Sequence, residues 1–218
     1  MPTLLLVLVG YLLGSIPTAY LAGLWLKGID LRKYGSGTVS GSMVWEHVAR
    51  WAVVPVGIFD LLKASFPTWL ALRLGLGSIA AAAVGLVATV GHNWPLYLGF
   101  TGGRGISPFL GTLLVLFPWG CVWLLGFLAI GWLLGDSAPF ALAALILLPL
   151  FTRWLDGPAV VTPASAAMLL VTLGKRQQAN GRKLPPPSPE RWRAIVLRLL
   201  FDRDTTSHKE WIRRRPED

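Results

Sequence analysis

The sequence predicts an all-α integral membrane protein of about seven transmembrane helices, with its N-terminus outside and its C-terminus cytoplasmic. Of its 218 residues, 54% belong to the hydrophobic set and only 14% are charged, which is more apolar than a water-soluble domain needs to be. The apolar residues run in long stretches separated by short clusters of charge, the pattern of a chain that crosses a bilayer repeatedly. The cations also divide unevenly between the two sides that these stretches define.

Crossing about 30 Å of hydrocarbon takes roughly 20 apolar residues in a helix that rises about 1.5 Å per residue. Thr3 to Leu26 meets that length as the first pass. Trp51 to Leu72 is the second and carries Asp60 and Lys63 within it; Leu76 to Val90 is a shorter third. Ile106 to Leu134 is too long for one pass, and Pro118-Trp119-Gly120 near its middle divides it into two helices joined by a tight turn. Ala138 to Phe151 and Pro158 to Leu173 complete the seven. For the last three passes the alternative is half-length helices buried inside the bundle.

With alternating passes and the N-terminus outside, Lys27, Arg32, Lys33, Arg50, Arg104, Lys175 and Arg176 share one side, and only Arg73 and Arg153 lie on the other. The positive-inside rule makes the first side cytoplasmic. The first cation follows the leading apolar run instead of preceding it, so that run reads as a retained helix and not a cleaved signal peptide.

Residues 1–174 read as the membrane domain and 175–189 as a basic, Pro-rich cytoplasmic linker that includes PPPSP at 185–189. Residues 190–218 read as a basic amphipathic tail. There Trp192, Ile195, Val196, Leu199 and Leu200 follow the offsets of one helical face, and Arg191 and Arg198 are out of phase with it. Such a helix suits an anionic membrane surface, or a protein partner. Cys121 is the one cysteine, so the chain can form no internal disulfide. His47, His92 and His208 lack the spacing of a zinc protease. No metal or cofactor is called for.

Two Gly-rich segments on the cytoplasmic side carry the chemistry. In 34-YGSGTVSGSMVWEHVAR-50, Gly35, Gly37 and Gly41 let the backbone approach a ligand, while Ser36, Thr38, Ser40 and Ser42 offer hydroxyls. Successive N–H groups of this kind can converge on an oxyanion, helped by a helix beginning near Val44. A flexible linker is the other reading of this loop. In 91-GHNWPLYLGFTGGRGIS-107, Gly102, Gly103 and Gly105 surround Arg104, and His92 can donate or accept a proton. Two such loops, each with a cation, would serve two phosphate-bearing substrates. Asp60 and Lys63 sit three apart on one face of an apolar helix, as either a functional pair or a structural one.

The order 14-GSIPTAYLAG-23, 30-DLRKYGSG-37, 60-DLLK-63 and 91-GHNWPLYLGFTGGRG-105 resembles the bacterial acyl-phosphate:glycerol-3-phosphate acyltransferases of the PlsY type, over nearly all of residues 1–184. The resemblance implies transfer of a fatty acyl group from acyl phosphate to the 1-hydroxyl of glycerol 3-phosphate, giving lysophosphatidic acid in a bacterial inner membrane. It implies Ser36 and His92 as catalytic residues. Gly35, Gly37, Thr38, Arg32, Lys63, Gly102, Gly103, Arg104, Gly105 and Lys175 would bind phosphate. The expected partners are the two substrates and membrane lipid, with no nucleic acid.

Several positions depart from the family pattern. Thr38, Met43 and Glu46 stand where the family's first loop has Asn, Asn and Arg, and Thr101 stands at the first lysine of its second loop. Lys175, Gln177 and Gln178 replace its C-terminal His, Glu and Asn, and Ala64 replaces a Gly. A carboxylate at Glu46 is unfavourable beside a phosphate, and Arg50, one turn on, would either supply the missing charge or neutralise Glu46. A catalytically silent relative that binds lipid or phosphate is the competing reading. A small transporter fits less well, because transporter sites lie near the bilayer midplane.

Overall fold

The computed structural model describes residues 1–178 and 184–215, and within them every regular element is helical. Part of the expected 175–189 linker lies outside the described residues. The helices are α1 (Pro2–Gly14), α2 (Thr18–Lys27), α3 (Gly41–His47), α4 (Val53–Arg73), α5 (Gly77–Asn93) and α6 (Ile106–Leu116). They are followed by α7 (Pro118–Leu133), α8 (Ser137–Trp154), α9 (Val161–Gln178), α10 (Pro189–Phe201) and α11 (His208–Ile212).

Four segments are long and apolar enough to cross a membrane: Pro2–Lys27, Arg50–Arg73, Gly77–Leu98 and Ser137–Trp154. Two shorter apolar helices, Ile106–Leu116 and Pro118–Leu133, divide at the expected point, because Pro118 can open a helix but cannot continue one. The first pass is not the uninterrupted helix the hydropathy suggested. Pro17 has no N–H to give, so α1 stops at Gly14 and α2 restarts at Thr18. That break leaves the Ile16 carbonyl available to the site described below.

Helix contacts inside a membrane depend on close packing, not on apolar burial, and small residues supply it here. Gly14 of α1 lies against the Ala88 carbonyl of α5, and Gly111 of α6 against the Leu61 carbonyl of α4. Gly85 of α5 fits between Thr68 and Thr112. Gly14→Ala would drive its methyl into the Ala88 backbone. It is expected to lower the unfolding free energy by about 1–3 kcal/mol, read as a lower melting temperature in detergent. Gly57→Ala meets nothing within 4 Å and should leave melting unchanged.

Phe109, Leu113, Leu124, Leu145, Leu148 and Met168 form one core among α6 to α9. Leu4, Leu8, Ile58, Phe66, Ile79, Val122, Leu133 and Leu150 face outward, as suits a surface solvated by hydrocarbon. A second core at the loop end gathers Leu31, Met43, Val44 and Leu98, together with Ile212 from the far C-terminus.

Candidate active site

The site begins with three buried ionisable side chains. Asp60 and Lys63 are one turn apart on α4, and Lys63 Nζ lies 2.8 Å from Asp60 Oδ1. The ammonium also donates to the Ile16 carbonyl at 3.1 Å, in the break between α1 and α2. Thr18, at the start of α2, donates its hydroxyl to Asp60 Oδ1. From the last turn of α5, His92 places Nδ1 3.5 Å from the same carboxylate oxygen. A carboxylate facing Nδ1 favours the tautomer with its proton there, which leaves the Nε2 lone pair as an acceptor. Nε2 points at Gly103, where a side-chain Cβ would collide with it.

The Gly-rich loops close around this cluster because nothing larger fits. Gly103 N–H donates to the His92 carbonyl at 3.1 Å, and a Cβ on Gly102 would strike that same carbonyl. Gly105 has φ +77 and lies against the Asn93 amide, a left-handed conformation that glycine adopts without penalty. Val39 N–H donates to the Gly102 carbonyl at 3.3 Å, joining the first loop to the second. Ser36 and Thr38 are buried, and Thr38 N–H donates to Ser36 Oγ at 3.1 Å. The hydroxyls of Ser36, Thr38, Ser40 and Ser42 continue as a hydrogen-bonded series. Between these loops, Thr18, Lys63 and His92 lies a recess of about 10 Å³, room for roughly one water.

Thus Lys63, His92, Gly102 and Gly103 line one recess, Ser36 and Thr38 lie in the loop that reaches it through Val39, and the outer cations arrange themselves differently. Arg32 is exposed and tied to Asp30 at 2.7 Å; its guanidinium holds the Asp30 carboxyl below the usual carboxylate range. Arg104 donates from Nε to Asp202 at 2.7 Å and from Nη1 to the Lys175 carbonyl at 3.1 Å. Lys175 lies past the apolar part of α9, 5.1 Å from the centre of the Trp94 ring, and donates to Gln178 Oε1 at 3.3 Å. Burial, reinforced by the Arg104 charge and opposed by Asp202, brings the Lys175 ammonium down to about 7.

Arg50 does not pair with Glu46 among the described residues. It stacks on Trp45 at 5.3 Å, and Glu46 pairs with Arg213 of the tail at 2.9 Å. The helix expected near Val44 begins at Gly41 and has 7 residues.

The sequence reading did not single out Thr18, Trp94, Asn93 or Asp202. Thr18 lay in a quoted motif, and a hydroxyl at the start of a helix opposite a buried acid is a signal that could have found it. Trp94 donates to Gln178 Oε1 at 2.7 Å and receives the Tyr11 hydroxyl on its carbonyl at 2.9 Å. Asn93 is fully buried, and neither polar atom of its side chain has a hydrogen-bond partner among the described residues; periodicity carries no trace of that.

The family model described as glycerol-3-phosphate acyltransferase matches residues 4–184. Glycerol-3-phosphate acyltransferase 5 of Dehalococcoides mccartyi is 32% identical, with 97% of this chain and 93% of that protein covered. The glycerol-3-phosphate acyltransferase of Synechococcus sp. strain CC9902 is 35% identical over 86% of this chain and 94% of its own. Among solved structures, the glycerol 3-phosphate form of PlsY, an integral membrane glycerol 3-phosphate acyltransferase, superposes with a TM-score of 0.74 at 29% identity. It covers 84% of this chain and 92% of that one. The lysophosphatidic acid form gives 0.73 at 27% identity, over 84% and 91%.

Proposed function

Because the chain belongs to the glycerol-3-phosphate acyltransferase family, we propose that it transfers a fatty acyl group from acyl phosphate to the 1-hydroxyl of glycerol 3-phosphate. The products are lysophosphatidic acid and inorganic phosphate. The observation that carries this reading is the buried His92, aligned by Asp60 and aimed at the Gly102–Gly103 loop, where the first loop also joins it. The hydroxyl oxygen attacks the acyl carbonyl, the bond from that carbon to the phosphate oxygen breaks, and the hydroxyl proton passes to His92 Nε2 and on to the departing phosphate.

Acyl phosphate is already activated, so the protein contributes mainly position and charge. Lys63 offers its ammonium at the recess, Arg104 and Lys175 lie beside each other at the rim, and Ser36 and Thr38 offer hydroxyls. Gly35, Gly37, Gly102, Gly103 and Gly105 let the backbone approach the phosphates, and Arg32 adds positive charge farther out.

The bundle makes seven passes, with its N-terminus outside and the active face cytoplasmic, in the inner membrane of a bacterium. The uneven division of cations supports this orientation. So does the joining of the first loop, the second loop, the α7–α8 turn and the tail at one end, through Val39 to Gly102, Arg104 to Asp202 and Arg203 to Asp136.

Purified protein given acyl phosphate is expected to release phosphate at a rate that depends on added glycerol 3-phosphate, with lysophosphatidic acid appearing in equal amount. Phosphate release indifferent to glycerol 3-phosphate would defeat the assignment.

A further inference from the structure

Residues beyond 184 lie outside the span matched by the family model, yet the described part of them packs on the bundle. α10 turns Ala194 and Arg198 toward the protein and leaves Trp192, Val196 and Leu200 exposed. The buried Arg198 donates to the Gln177 carbonyl at 2.9 Å and pairs with Asp204. Arg176 reaches back to the Leu199 carbonyl at 2.6 Å, and Arg203 pairs with Asp136 at 2.6 Å. The end of α9 and the α7–α8 turn thereby hold the chain from 198 to 204 in place.

The segment then crosses the first Gly-rich loop. Ile212 enters the apolar cluster of Leu31, Met43 and Val44, and His47 Nε2 donates to the Ile212 carbonyl at 2.7 Å. Glu46 takes Arg213, and Gly35 N–H donates to the Arg214 carbonyl at 2.7 Å. Glu46 therefore works as a fastening for this strap, which is a reason for a carboxylate at that position.

Two donors assigned to phosphate by the sequence, Arg104 and Gly35 N–H, are thus bonded to oxygens of the chain itself. Asp202 makes the more consequential bond. It stands in the left-handed region at φ +58, a conformation that Asp tolerates better than most residues. From there it delivers a carboxylate to Arg104 at 2.7 Å, and its second oxygen is buried with no hydrogen-bond partner among the described residues. Carboxylate and phosphate compete for the same guanidinium face.

We propose that Asp202 sets the enzyme's affinity for its phosphate-bearing substrates, by holding Arg104 as a substitute anion that phosphate must displace, with the strap 202–214 loosening as it does so. This rests on the assignment of the phosphate site above. A competitor that occupies the site raises the apparent dissociation constant by the reciprocal of the fraction of time the site is left free.

Asp202→Asn in the full chain keeps the side-chain shape and suits the left-handed backbone. It is expected to lower KM for glycerol 3-phosphate or acyl phosphate by about threefold or more with kcat little changed. Both KM values unchanged, or either one raised, would overturn the proposal; a rise would mean that Asp202 assists Arg104. A second measurement does not depend on turnover. Amide hydrogen exchange of the wild-type chain across 208–214 should quicken on adding glycerol 3-phosphate, and on adding inorganic phosphate at higher concentration. Exchange that slows or stays constant under saturating ligand would overturn the proposal even if the enzyme proves active. Absence of glycerol 3-phosphate-dependent turnover alongside quickened exchange would instead fault the assigned reaction.

Discussion

Asp60→Ala is expected to remove turnover and stability together, and a second substitution should separate the two. The Asp60 carboxylate receives Lys63 Nζ at 2.8 Å and the Thr18 hydroxyl, and it faces His92 Nδ1 at 3.5 Å. Its loss leaves the Lys63 ammonium buried with only the Ile16 carbonyl. Breaking a buried pair from one side costs about 3–5 kcal/mol, read as a large fall in melting temperature. Turnover should fall about 10²–10⁴-fold, the usual worth of a positioned general base, because His92 loses the group that fixes its tautomer. Asp60→Leu combined with Lys63→Met takes away both charges and keeps an apolar volume, a replacement that is often neutral for stability. The double variant should therefore melt near the wild-type temperature and still fail to turn over. Near-wild-type activity in that variant would reduce the pair to a structural one, which was the alternative reading of DLLK in the sequence.

The parts of this molecule legible in sequence were those set by local chemistry. Apolar runs pointed to the four segments long and apolar enough to cross a membrane, and Pro118 gave the division of α6 from α7 because a prolyl ring blocks a helix wherever it falls. The Asp60–Lys63 pair was readable from spacing alone. Pro17 offered the same signal as Pro118 within an apolar run, yet hydropathy averaged over the run concealed the break, and with it the carbonyl that receives Lys63. The partner of Glu46 was beyond reach for another reason. Arg50 is one turn away and Arg213 is 167 residues away, and only tertiary packing of Ile212 into the Met43 cluster brings the distant one closer. Arg104 is a similar case, since its partner Asp202 comes from a tail whose amphipathic pattern pointed toward the membrane. The tail's periodicity identified its faces, with Trp192, Val196 and Leu200 turned outward, and it carried no sign that Arg198 turns inward to a carbonyl and Asp204.

Gly103→Ala should separate geometry from stability more sharply than any charge change. A methyl at this position collides with His92 Nε2, the atom proposed to accept the proton. The backbone cannot yield freely, because Gly103 N–H is bonded to the His92 carbonyl and Gly102 is packed on the same group. The imidazole must then rotate, and rotation takes Nδ1 away from Asp60. Displacement of a reacting group by about 1 Å can cost roughly 10²-fold in rate, so kcat should fall by about that factor. KM should change less, since Lys63, Arg104 and the Ser36 loop keep their places. Overpacking limits the stability loss to about 1–3 kcal/mol, small enough for the purified variant to remain folded. Gly126→Ala on α7 meets nothing within 4 Å and serves as the control, with wild-type turnover expected. Full activity in Gly103→Ala would remove His92 from the proton path, because no path through Nε2 survives a methyl group placed upon it.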